Sequence, residues 1–150
     1  MILNEYETIY IARPDLTDDV MTKITARYEQ VITNNAGVIL VSEDWGKRKL
    51  AYIIAKHQRG HYIYLNYVGP AAIVAEVERN LGNEDQLLRF LTVKLEDDVE
   101  VDARRALAEE RRRLRAERMA ALKAEEEAEA RYRAEAEEAE DEMVPVESDE

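Results

Sequence analysis

The pattern of apolar and polar residues alternates between strand and helix periods along residues 1–95. Bulky β-branched and aromatic residues occupy both parities of residues 6–12, which is typical of a central strand. Apolar residues then recur at three- and four-residue steps over residues 20–32, with Thr17 before them as a candidate N-cap. This segment predicts an amphipathic helix, with Gly37 as its left-handed C-cap.

The next segments predict two more strands, a helix and a last strand. Residues 38–54 predict one long strand that bends at Gly46, because a glycine inside a strand usually marks a bulge. A turn then leads into a strand over residues 62–68, which completes a β-hairpin. Apolar residues at helical spacing over residues 70–82 predict a second helix, and residues 87–95 predict the last strand.

The predicted order β-α-β-β-α-β defines the fold class. Two βαβ halves with right-handed crossovers form an α+β, ferredoxin-like structure, in which a four-stranded antiparallel sheet carries both helices on one face. We expect the other face to be open, so exposed tyrosine side chains there are candidates for binding.

The character of the chain changes after this domain. From residue 102 onward Ala, Glu and Arg dominate, which predicts a solvated helix to about residue 142, stabilised by i,i+4 Glu–Arg pairs and fraying over residues 144–150. We therefore divide the chain into a ferredoxin-like domain, residues 1–97, and a charged helical or disordered extension, residues 98–150.

The net charge of −12 is unevenly distributed. Residues 1–95 carry −1, residues 101–123 carry +4 and residues 124–150 carry −11. A phosphate backbone responds to charge within about one Debye length, roughly 8 Å at physiological salt, so the acidic total does not exclude nucleic acid. The absence of cysteine excludes disulfides, thiolate catalysis and Cys-ligated zinc, and it fits a reducing cytosol.

Catalytic and membrane motifs are lacking. The glycines are too scattered for a phosphate loop, and His57 and His61 have no third ligand nearby for a metal. We also expect no secretory signal and no membrane span. The enzyme alternative is an acylphosphatase-like activity with Arg13 and Asn66, which lacks the Gly-rich loop that would cradle a phosphate. We predict no catalysis, metal or cofactor.

One cluster of residues stands apart from the rest of the strand pattern. Residues 43–52 combine the only tryptophan, Trp45, with three adjacent cations, Lys47, Arg48 and Lys49. Adjacent cations repel one another, so they require solvent or an anionic partner, and a neighbouring aromatic ring offers a stacking surface. The alternative interpretation is a solvated hairpin with one anchoring tryptophan.

This cluster resembles the central motif of the bacterial small-subunit ribosomal protein six family. The other matching residues are Tyr6, Glu7, Pro14, Asp15, Ala55, Lys56, Tyr62, Pro70 and Arg89. The resemblance covers residues 4 to about 95 and implies a structural, non-catalytic constituent of the cytoplasmic small ribosomal subunit. It further implies binding to the central domain of the small-subunit ribosomal RNA as a heterodimer with ribosomal protein eighteen, without cofactor, membrane or small-molecule substrate.

The resemblance also implies candidate site residues. The RNA-binding candidates are Lys47, Arg48, Lys49, Lys56 and Arg89. The partner-binding candidates come instead from the residues themselves, since the open sheet face and the edge of the long strand are expected to expose more apolar surface than a small domain normally does. They are Trp45, Leu50, Tyr52, Tyr62 and Tyr64. Asn4 and Glu5 replace the basic residues that the family usually has before Tyr-Glu, and Ile53 replaces its usual proline.

Two questions stay open at the level of sequence. A ferredoxin-like interaction or regulatory module that self-associates through its sheet is the alternative function, although such a module has no need of three adjacent cations on a strand. The basic part of the extension either lies along RNA or a partner, or forms a solvated helix that touches nothing. Its arginines are Arg104, Arg105, Arg111, Arg112, Arg113 and Arg115.

Overall fold

The computed structural model describes residues 1–142 of the chain, with side chains to residue 140. Its elements are β1 (Asn4–Ala12), α1 (Asp18–Asn34), β2 (Val38–Ile54), β3 (His57–Gly69), α2 (Ala72–Gly82), β4 (Leu87–Glu96) and α3 (Val101–Glu142). The order of the first six elements confirms the predicted β-α-β-β-α-β arrangement.

The four strands form one antiparallel sheet with the order β2-β3-β1-β4. Strand β1 pairs with β3 on one side and with β4 on the other, so it is the central strand that its bulky residues predict. Its pairing with β3 ends at Ala12 opposite His61. The part of the β2–β3 hairpin beyond that pair therefore has no third strand beside it.

Helices α1 and α2 pack on one face of the sheet. The Thr17 side chain accepts a hydrogen bond from the Val20 amide, which confirms the predicted N-cap. The core beneath the helices is built on an edge-to-face contact between Tyr10 and Tyr28, with ring centroids 5.3 Å apart. Its fully buried members are Tyr10, Ala12, Tyr28, Ile32, Leu65, Tyr67, Ile73 and Val77.

The predicted C-cap of α1 is wrong in one detail. Ala36, with φ of 61°, takes the left-handed conformation, whereas Gly37 does not. Gly37 is instead required by close packing, because a Cβ atom there would lie 2.5 Å from Cδ1 of Ile73.

The first turns of α3 cover part of the sheet face opposite α1 and α2. Ala108 is buried against Val41 and Tyr64, and the Val99 amide donates a hydrogen bond to the Leu3 carbonyl at 2.8 Å. The expectation of a fully open face is therefore wrong, because a few apolar positions in the first turns of α3 suffice to cover it locally.

The chain divides into a compact unit, Met1–Glu109, and a second unit that begins at Glu110. The predicted domain limit at residue 97 stays a prediction, since it concerns which segment folds on its own. Helix α3 extends to Glu142 as expected, and its residues 110–140 are all exposed. Predicted i,i+4 ion pairs are present, such as Arg133 with Glu129 at 2.8 Å. The predicted fraying over residues 144–150 lies outside the described residues.

Within residues 1–142, no helix combines the length and the apolar character that crossing a membrane requires. The described side chains also bring no three His, Cys, Asp or Glu residues together as a group that could hold a metal ion.

Candidate nucleic-acid interface

The β2–β3 hairpin extends past the end of β1 as a two-stranded ribbon. Lys47 lies opposite His61, the last β3 residue that pairs with β1, and Ile54 lies opposite His57 at the far end. We call residues 47–60 the cationic ribbon. It contains five cations and no carboxylate, although the whole chain has a net charge of −12.

The three adjacent cations of the ribbon are all exposed. Because side chains alternate along a strand, Lys47 and Lys49 lie on one face and Arg48 lies on the other. The ribbon can therefore present positive charge on both of its faces. Lys56 is also exposed, at the tip of the hairpin, where Ala55 and Lys56 have φ of 45° and 66°.

Sequence reasoning missed a fifth cation of the ribbon, Arg59. Arg59 lies directly opposite Lys49, and its Nη2 atom donates to the Lys47 carbonyl at 3.3 Å. It therefore stands on the same face as Lys47 and Lys49. The hairpin register was the signal that could have identified it, since the turn brings Arg59 back beside the triplet.

The Trp45 side chain provides an aromatic ring beside Arg48. Its ring stacks on Tyr64 with centroids 5.0 Å apart and planes inclined by 7°. The guanidinium carbon of Arg48 lies 5.5 Å from the Trp45 ring centroid, and Arg48 Nε donates to the Trp45 carbonyl at 3.3 Å. These contacts restrict Arg48 without neutralising its charge, and the guanidinium keeps donors for an anion.

Arg89 joins the ribbon through a cleft of about 480 Å³. Arg89 is exposed on β4, opposite Ile11, and it lines this cleft together with Arg13 and the hairpin residues Ile53 and His57. The cleft thus places a second cationic strand position beside residues from the far end of the ribbon. The contact of Arg89 with RNA stays a prediction.

The partner-binding candidates differ in exposure. Tyr52 is 65% exposed, and Trp45 and Tyr62 are half-buried. The expected exposure of Leu50 and Tyr64 is wrong, since they are only 6% and 9% exposed. Tyr64 is covered by Ala108 and by the Trp45 ring, and the Leu50 side chain lies against Gly60. The roles of all five residues in partner binding stay predictions.

Other apolar side chains are exposed in place of these two. Leu91 and Val93 on β4 are 63% and 41% exposed, and Ile53 on the ribbon is 64% exposed. The sequence did not indicate this, because a strand that is apolar on both parities is typical of a buried strand rather than of an edge.

The acylphosphatase-like arrangement does not form among the described residues. Asn66 is buried, and its amide donates to Glu5 Oε1 and to the Tyr6 carbonyl, both at 3.0 Å. Asn66 thus lies near the start of β1, whereas Arg13 follows its last residue and forms an ion pair with Asp15 at 2.8 Å. The two residues thus do not converge on one site.

The fold and the ribbon define a ferredoxin-like protein with a surface suited to polyanions. A family model described as ribosomal protein S6 matches residues 5–94, which is more than half of the chain. The chain therefore belongs to the ribosomal protein S6 family of the bacterial small ribosomal subunit, which functions in the cytoplasm.

Individual relatives agree with this family. The chain is 47% identical over 93 residues to small ribosomal subunit protein bS6 of Geotalea daltonii, covering 62% of this chain and 73% of that protein. The protein of the same name from Geobacter sulfurreducens is 43% identical over 105 residues, covering 70% and 90%. That of Desulforapulum autotrophicum is 41% identical over 98 residues, covering 65% of this chain and 63% of the relative.

A solved structure is similar in fold. The 30S ribosomal protein S6 from Thermotoga maritima superposes with a TM-score of 0.60 at 23% identity, covering 62% of this chain and 88% of that one. This similarity supports the ferredoxin-like architecture of the compact unit.

Proposed function

We propose that this protein binds the central domain of the small-subunit ribosomal RNA through the cationic ribbon, together with ribosomal protein eighteen. The observation that carries the proposal is the segregation of charge. The ribbon holds five cations without a carboxylate, in a chain with 33 acidic and 21 basic residues. Local positive charge of this kind is what a phosphate backbone recognises.

The geometry of the ribbon favours recognition by phosphate contacts and RNA shape. Lys47, Lys49 and Arg59 share one face, while Arg48 lies on the other face over the Trp45 ring. Phosphate contacts of this type fix the position of a protein on RNA without reading its sequence. Double-stranded RNA is recognised mostly in this manner, because its deep major groove does not admit side chains.

The exposed apolar surface supports a protein partner. Leu91, Val93 and Tyr52 are more exposed than is usual for large apolar side chains on a small domain, and β4 is an edge strand with unpaired backbone groups. A bound protein would cover such a surface. The heterodimer with ribosomal protein eighteen, which the family resemblance implies, supplies a partner.

A binding experiment with purified components tests the proposal. We would measure binding of the full chain to a central-domain RNA fragment, with and without ribosomal protein eighteen, and use a fragment of equal length from another domain as control. We expect weak binding by the chain alone and tighter, domain-selective binding with the partner. Equal affinity for both fragments, or no effect of the partner, would contradict it. Dimerisation of the chain without RNA binding would favour the self-associating module.

A further inference from the structure

Strand β2 contains a bulge immediately before the three adjacent cations. The register with β3 shifts between Asp44, opposite Ile63, and Gly46, opposite Tyr62. Gly46 has φ of 78°, a conformation that residues with a side chain rarely adopt. The bulge changes the direction of β2 just where the ribbon begins.

One carboxylate oxygen holds this bulge to the neighbouring strand. Asp44 Oδ1 accepts a hydrogen bond from the Gly46 amide at 2.7 Å, and it also lies 2.6 Å from His61 Nε2. An ionised carboxylate only accepts, so His61 carries its proton on Nε2. His61 is 5% exposed and lies opposite Lys47. The Asp44 contact thus ties the bulge to a fixed, buried residue of β3.

The bulge also contains Trp45, whose aromatic ring lies where the ribbon begins. Trp45 lies between the two residues joined by the Asp44–Gly46 hydrogen bond, and its ring stacks on Tyr64. Arg48 in turn lies over the Trp45 ring. The Trp45 Nε1 atom also donates to Glu43 Oε2 at 3.0 Å, so the bulge and Glu43 together position the ring over which Arg48 lies.

We propose that Asp44, anchored by His61, is a positioning residue for RNA binding: it fixes the bulge and so aims Lys47, Arg48 and Lys49 at the phosphates. This inference rests on the proposed RNA-binding function. It assigns a favourable role to an acidic residue beside a polyanion site, whereas its charge alone would repel phosphate. If only the charge of Asp44 matters, removing its carboxylate strengthens RNA binding. If Asp44 positions the cations, removing it weakens RNA binding.

The test compares Asp44→Asn and Asp44→Ala with Asp85→Asn, a control that also removes one exposed carboxylate. RNA affinity and its salt dependence are measured for each full-length variant, well below its melting temperature. Near-ultraviolet circular dichroism of Trp45, the only tryptophan, reports the geometry of the bulge. The Asp44 side chain is 56% exposed, so its replacement leaves no cavity in the core.

We expect Asp44→Ala to weaken RNA binding about tenfold and to reduce the salt slope by about one unit, the scale of one lost phosphate contact. Asp44→Asn should lie between Asp44→Ala and the unmodified protein, because its amide oxygen still accepts one hydrogen bond. Both variants should alter the Trp45 spectrum. Asp85→Asn should strengthen binding slightly and leave the spectrum unchanged.

The inference is overturned if both Asp44 variants strengthen binding as Asp85→Asn does, or if affinity falls while the Trp45 spectrum stays unchanged. Its failure is distinguishable from failure of the proposed function. If only the positioning role of Asp44 is wrong, the triple variant Lys47→Ala, Arg48→Ala, Lys49→Ala still loses RNA affinity. If the proposed RNA-binding function is wrong, the triple variant binds RNA as well as the unmodified protein.

Discussion

Arg104 on α3 pairs with Glu5 on β1, with Arg104 Nε 3.3 Å from Glu5 Oε2. Glu5 is 1% exposed, and its other oxygen accepts a hydrogen bond from the Asn66 amide at 3.0 Å. Arg104 also lies 3.5 Å from the exposed carboxylate of Glu96. The pair therefore joins the start of α3 to the sheet and compensates the charge of a buried carboxylate. The pair also involves one of the arginines for which contact with RNA or a partner was left open.

Arg104→Ala should destabilise the protein by about 2–3 kcal/mol, because it leaves the Glu5 carboxylate buried without a counter-charge. Chemical denaturation measures this loss. Adding Glu5→Gln to Arg104→Ala should restore part of the stability, since a neutral amide still accepts from Asn66. Glu96→Gln is the control and should cost less than about 1 kcal/mol. An Arg104→Ala variant as stable as Glu96→Gln would contradict a stabilising role of the pair.

Two truncations should separate the docked and exposed parts of α3. A chain that ends at Glu109 keeps Arg104 and Ala108, so we expect its melting temperature to match that of the full-length protein. A chain that ends at Val101 loses both residues. We expect its melting temperature to fall by several degrees, since about 1 kcal/mol corresponds to roughly 4–8 °C in a domain of 60–100 residues. Equal melting temperatures for the two truncations would show that the docked turns add no stability.

Residue spacing predicted the order of helices and strands along the chain, the bend at Gly46 and the Thr17 cap, because each depends on neighbours in sequence. It could not predict the pair between Glu5 and Arg104, because these residues are far apart in the sequence and only the fold brings them together. Arg59 was missed for a similar reason, as only the hairpin register brings it beside Lys49. Local patterns indicate elements and caps, whereas contacts between distant elements require the fold.

Stability should fall at alkaline pH because tyrosines are buried. Burial raises the pKa of Tyr28 to about 12, and it also raises the pKa of Tyr10 and Tyr67 above the ordinary value. Below about pH 10, the pKa of tyrosine in the unfolded chain, the raised folded-state pKa makes its full contribution to the free energy of unfolding. This contribution is lost as the pH rises through the folded-state pKa. Denaturation midpoints between pH 8 and about 11.5 should therefore decrease above about pH 10.

Tyr28→Phe provides the matched variant for the pH dependence. The Tyr28 hydroxyl has no hydrogen-bond partner among the described residues. Its removal should therefore leave stability at pH 8 unchanged or raise it by up to about 1 kcal/mol. The alkaline loss should also become smaller. If this variant lost as much stability above about pH 10 as the unmodified protein, the pH dependence would belong to groups other than Tyr28.

The tip of the hairpin is strained at Ala55, which has φ of 45°. Asparagine tolerates the left-handed conformation better than alanine, and a β-branched residue tolerates it worse. We expect Ala55→Asn to stabilise the protein by about 0.5 kcal/mol and Ala55→Val to destabilise it by about 1 kcal/mol or more. Both keep the charge of the ribbon. Thermal melts that rank the variants in the reverse order would contradict the assigned strain.

The most direct test of RNA binding by the ribbon is the salt dependence of the affinity for the central-domain RNA. The triple variant Lys47→Ala, Arg48→Ala, Lys49→Ala is compared with Lys23→Ala, Arg79→Ala, Lys94→Ala, which removes three cations from α1, α2 and β4. We expect the slope of log affinity against log salt to decrease by about 0.7–0.9 for each lost contact in the ribbon variant, and to remain unchanged in the control. An unchanged slope in the ribbon variant, or an equal decrease in both, would contradict RNA binding by the ribbon.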